Sequence, residues 1–106
     1  MDYEETANLL KVIADPKRLK IIDLLSCGSM CACDILEHFD FTQPTLSHHM
    51  KKLENAGAVV VTKKGQWHYY ELTATFITKF KMSIDILFAN ESTCVCNEKE
   101  IGLQST

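Results

Sequence analysis

"FTQPTLSHHMKKLENAG", residues 41–57, followed at once by "AVVVTKKGQWHYYEL", residues 58–72, decides the architecture of this 106-residue chain. In the first stretch Leu46, Met50 and Leu53 recur at i, i+4 and i+7, one apolar stripe on a helix. Thr42 stands where an N-cap belongs, Pro44 falls in the first turn and Gly57 marks the end. In the second stretch the period changes. β-Branched and aromatic residues flank Lys63, Lys64, Gly65 and Gln66, which predicts a β-hairpin with Gly65 in its turn.

The neighbouring segments read outward from this pair. "ADPKRLKIIDLLSCG" (14–28) opens with Asp15 as N-cap and Pro16 at the first helical position. Leu19, Ile22 and Leu25 give it an apolar face, and Gly28 is its stop. "YEETANLLKVIA" (3–14) places Leu9, Leu10, Val12 and Ile13 near helical spacing. "CACDILEHFDF" (31–41) is a short helix that starts near Ala32 or behind an Asp34–Glu37 capping box. "TATFITKFKMSIDILFAN" (73–90) carries Phe76, Ile77, Phe80, Ile84, Leu87 and Phe88 on one wide apolar face. The order is four helices, a hairpin and a last helix. The short turn between the third and fourth helices makes a helix-turn-helix, and the hairpin is its wing. The fold class is mainly α with a small β-hairpin, a winged helix-turn-helix. Residues 1–91 form one domain, and 92–106 are a C-terminal tail holding Cys94 and Cys96 around Val95.

No apolar run approaches membrane-spanning length, and MDYEETANLL lacks the pattern of a signal peptide. A cytoplasmic location is expected. The formal net charge of −3 hides an uneven distribution. Residues 43–70 hold four lysines against Glu54 alone, so a basic patch sits on an acidic body. On the fourth helix Gln43, Thr45, Ser47 and His48 suit base edges in a major groove. Lys51, Lys52, Lys63, Lys64 and Gln66 suit phosphates, which position without specifying. Double-stranded DNA is the expected partner. His48 and His49 diverge by about 100° on a helix and cannot share an ion. DNA contact or a hydrogen bond that fixes the turn fits them better.

Five cysteines are an odd number, and nothing points to export, so reduced thiols are expected. Cys27, at the end of an apolar helix, reads as core. Trp67, Tyr69 and Tyr70 read as hairpin packing. Cys31 and Cys33 are different. Inside a regular helix, positions i and i+2 point about 200° apart, but in an extended segment they share a side. The pair can converge only if the third helix has an irregular start. A helix N-terminus favours thiolate, and thiolates select soft ions. Asp34 and His38 are weaker candidate donors. No nucleophile–base–orienter set is present, so an enzyme is not expected.

"ADPKRLKIIDLL", "CACDILEHF", "TQPTLSHHMKKLENAG" and "VTKKGQWHYYEL" together resemble the ArsR/SmtB family of metal-responsive repressors, over about residues 7–90. The resemblance implies a homodimeric winged helix that represses a resistance operon and loses DNA affinity on binding an inducer. It implies that the first and last helices form the dimer interface. The Cys31–Asp34 element is similar to that of the arsenic and cadmium branches, so Cys31 and Cys33 are the metal candidates. The arsenic branch often reads Cys-x-Cys-x-x-Cys, but Leu36 stands at the third position here. The third donor stays open among Cys27, Cys94 and Cys96. The expected inducer is As(III) or Sb(III). A four-thiolate set with Cys94 and Cys96 would instead take Cd(II), Pb(II) or Zn(II). The cadmium branch, however, draws extra cysteines from an N-terminal extension, and none precedes Cys27. A thiol redox sensor is a further alternative. The zinc-type site of the family's last helix is rejected, because that helix holds Asp85 and no His.

Overall fold

The computed structural model describes residues 2–89 and contains the expected elements plus one short strand. In order they are α1 (Tyr3–Ile13), α2 (Pro16–Leu25), β1 (Met30–Cys31), α3 (Ala32–Leu36), α4 (Gln43–Asn55), β2 (Val59–Lys64), β3 (Trp67–Leu72) and α5 (Ala74–Leu87). The expected tail, with Cys94 and Cys96, lies outside the described residues.

Side-chain caps set most of the helix starts. Asp2 accepts from the Glu4 and Glu5 amides at α1, and Asp15 does the same for Lys17 and Arg18 at α2. Thr73 accepts from the Phe76 amide at α5, while its hydroxyl donates to the Gly57 carbonyl at 2.8 Å. That bridge fixes where α5 leaves the end of α4. Thr42 is the N-cap residue of α4 as expected, but its hydroxyl meets the Thr45 hydroxyl rather than a backbone amide. The Asp34–Glu37 capping box does not form. Helix α3 starts at Ala32, with Cys31 as its cap.

The sheet is antiparallel, in the order β1-β3-β2. Strands β2 and β3 pair from Val59↔Leu72 to Lys64↔Trp67. Gly65, at φ +63°, and Gln66 make the two-residue turn. The unexpected strand is β1, which pairs Met30 with Tyr70 and Cys31 with Tyr69. It welds the segment before α3 to the wing.

Ile21 and Leu25 of α2, Ile35 of α3, Leu46, Met50 and Leu53 of α4, Val59, Tyr70 and Phe76 form the core. The α4 stripe is as expected, but two expectations fail. Leu19 is 51% exposed, and Ile21, outside the expected face, is fully buried. Helix α2 is apolar on several sides, so its periodicity fits two phases, and contact with α4 and β3 selects one. Cys27 is exposed rather than core. Helix α2 ends at Leu25, which leaves Cys27 in the turn beyond the stripe.

Helix α5 uses only part of its apolar face within the protomer. Phe76 is buried, and Ile77 and Phe80 pack on the core. Met82, Ile86, Leu87 and Phe88 are exposed, as are Tyr3 and Leu10 of α1. Lys79 of α5 pairs with Glu5 of α1, which sets the two helices side by side.

Ile21→Ala should cost about 2–5 kcal/mol, because it leaves a cavity in the core. Leu19→Ala should cost less than about 1 kcal/mol. Urea unfolding at one fixed protein concentration checks this pair, and equal losses would contradict the observed phase of α2.

Candidate DNA interface and thiol cleft

Burying Leu46, Met50 and Leu53 turns the opposite side of α4 to solvent. Gln43, Ser47, His48, Lys51 and Lys52 are exposed there, and Thr45 is half-buried beside Thr42. On the wing, Lys63, Lys64 and Gln66 are exposed, with the Lys64 ammonium 5.1 Å from the centre of the Tyr69 ring on the neighbouring strand β3.

Some of these residues line two different clefts. Gln43, Ser47 and Gln66 line a cleft of about 290 Å³ between α4 and the wing, together with Cys31, Cys33 and Trp67. Lys52 instead lines a second groove with Glu4, Glu5 and Arg18. Trp67, expected to pack the hairpin, is 48% exposed on the cleft rim, whereas Tyr70 is buried. Two cations gave no signal in the sequence. Lys17 and Lys20 of α2 lie over the rings of Phe41 and Phe39, beside the turn that leads into α4.

The thiols meet the condition for convergence. Cys31 has extended backbone, φ −69° and ψ 146°, and accepts a hydrogen bond on its sulfur from the Cys33 amide at 3.3 Å. The two sulfurs are in contact as a Cys31–Cys33 disulfide, with Cα atoms 5.3 Å apart. Cys31 is buried and Cys33 exposed, so the pair is anchored at one end and open at the other. Among the described residues, no group of three His, Cys, Asp or Glu side chains is placed to hold an ion. Asp34 and His38 are exposed and bring no third donor.

The two histidines part company. His48 is exposed, while His49 is buried with its Nδ1 3.2 Å from Arg18 Nη1. Their rings meet edge-on at 5.7 Å. His49 therefore serves the inside of the helix.

Residues 15–60 match the model of the arsR family of bacterial regulatory proteins. Arsenical resistance operon repressors of Staphylococcus xylosus and Staphylococcus aureus are 47% and 44% identical over 102 residues, which is 96% of this chain and 98% of each relative. The chain belongs to the arsR family. A solved structure described as a possible transcriptional regulator for arsenical resistance superimposes with a TM-score of 0.72. It shares 26% identity and covers 78% of this chain and 86% of its own. In this arsR-family chain, the matched span runs from the cap of α2 into β2. It holds both the thiol pair and the whole of α4.

Lys51→Ala should weaken binding by a similar factor on operator and random DNA and lower the salt slope by about 1. Gln43→Ala or Ser47→Ala should cost about 1–3 kcal/mol on the operator only. Salt-dependent anisotropy on both DNAs checks this, and equal losses for all three would remove the assignment of roles.

Proposed function

We propose that this protein is an arsenical-operon repressor. It holds operator DNA as a homodimer and lets go when As(III) or Sb(III) binds Cys31 and Cys33. One observation carries the reading: the thiol pair shares a cleft with Gln43 and Ser47 of α4 and Gln66 of the wing.

Recognition starts with charge. Lys51, Lys63 and Lys64 draw the phosphates, and the first turns of α4 meet base edges. The exposed apolar faces of α5 and α1 supply the dimer contact. Two copies then present two α4 helices to two half-sites.

Release starts at Cys31. This residue pairs with Tyr69 of the wing and caps α3, and Ile35 of α3 packs in the core with Leu46 of α4. A change in the angle between the two thiol side chains is felt by the wing and by α4 together. In the reduced state both sulfurs are free to serve as soft donors, with Cys33 on the open side. Trivalent arsenic or antimony, when bound, supplies strong bonds to sulfur. Binding shifts the protein only as far as the released geometry holds it better than the DNA-bound one.

The sulfur contact favours a second reading of the same pair. Hydrogen peroxide would oxidise the two thiols to the disulfide and be reduced to two waters. Oxidation would then release DNA without arsenic.

Anisotropy on operator DNA under reductant tests the main reading. Arsenite should release the wild type, and Cys31→Ser should bind DNA normally without responding. Cys94→Ser with Cys96→Ser should still respond. Release by peroxide alone would favour the redox reading. Release by cadmium alone, lost with the tail cysteines, would favour a four-thiolate divalent-metal site. Ile86→Glu should shift the protein from dimer to monomer in sedimentation, and an unchanged dimer would move the interface elsewhere.

A further inference from the structure

We propose that His49 is a positioning residue of α4: its unprotonated Nδ1 holds Arg18, and a proton there unseats the helix and weakens DNA binding. This rests on α4 being the DNA-reading helix.

The inward face of α4 is otherwise hydrocarbon. Leu46, Met50 and Leu53 fix how deep the helix sits, but apolar contact is non-directional. The Arg18–His49 hydrogen bond adds direction. Arg18 belongs to α2, its Nε donates to the Val12 carbonyl near the end of α1, and its Nη1 reaches His49. One guanidinium thus ties α1, α2 and α4 together. A guanidinium only donates, so Nδ1 of His49 must offer its lone pair and the ring proton must sit on Nε2. Protonation at Nδ1 would set two cationic donors against each other at 3.2 Å.

The surroundings oppose that proton. Burial disfavours the charged ring first. The charges of Arg18 and Lys17 from α2 and of His48 on α4 also oppose it, while Asp15 at the start of α2 favours it. The Phe41 ring, 5.8 Å away, brings no charge. The balance leaves His49 below the ordinary histidine value. A depressed group contributes stability that is present above its unfolded value, near 6.5. That contribution is lost as pH falls toward the folded value. Acidification therefore loosens α4 without involving the thiols.

The test is DNA affinity of the full chain, reduced and without inducer, from about pH 7.5 to about pH 5 at constant ionic strength. His49→Asn puts an amide oxygen near the place of Nδ1 and cannot titrate. It should bind like the wild type at the upper pH and lose less affinity than the wild type as pH falls across the range. His49→Phe, which lacks the acceptor, should bind weakly at both ends. Equal pH losses in wild type and His49→Asn would overturn the proposal. Wild-type protein that binds no operator at any pH would instead overturn the DNA-binding role of α4. Should His49→Asn not fold, the imidazole nitrogen spectrum of ¹⁵N-labelled wild type decides. A bare Nδ1 with a titration midpoint below 6.5 supports the proposal, and an Nδ1–H tautomer or a higher midpoint overturns it.

Discussion

Cys31 belongs to two elements at once, and the rest of the functional geometry hangs on that. Its backbone is a strand residue paired with the wing, and its sulfur caps the helix that follows. An extended N-cap is what lets the side chains at positions 31 and 33 turn to one side. The same extended conformation admits Met30 and Cys31 to the sheet. A ligand that resets this joint acts on the wing through β3 and on α4 through Ile35 and Leu46. On the proposed function no long route is required, because the thiol pair and the first turns of α4 line one cleft.

The core around the joint is small. Much of the apolar surface of α5 and α1 is not spent on it, and a second copy is the natural cover for those faces. Within the protomer, α4 is held by an apolar stripe for depth and by the part-buried Arg18–His49 contact for direction. Polar contacts of this kind are costly to leave half-made, so small changes in charge can move the helix that they hold.

Much of this was legible in the sequence. Asp15 with Pro16, the Leu46–Met50–Leu53 stripe and the change of period at Ala58 each follow from local physics, and each is present. The failures share a cause. Two-residue β1 is too short to carry a period, and it exists because Tyr69 and Tyr70 offer it partners. Helix α2 is apolar on several sides, so only tertiary contact could choose Ile21 over Leu19. Trp67 was expected among the hairpin's packing residues, but its place on the cleft rim depends on how far the wing stands from α3. The sequence predicted that Cys31 and Cys33 need an irregular helix start, yet not that the start would be a sheet residue. Leu36 shows in the sequence itself that a third thiol is missing from the local motif.

Amide hydrogen exchange of the full reduced protein, with and without arsenite, tests the joint most directly. Protection should change over residues 30–36 and in the first turn of α4, with the amides of residues 74–87 unaltered. Arsenite-dependent change confined to residues 74–87, with none at the Cys31 joint, would contradict it.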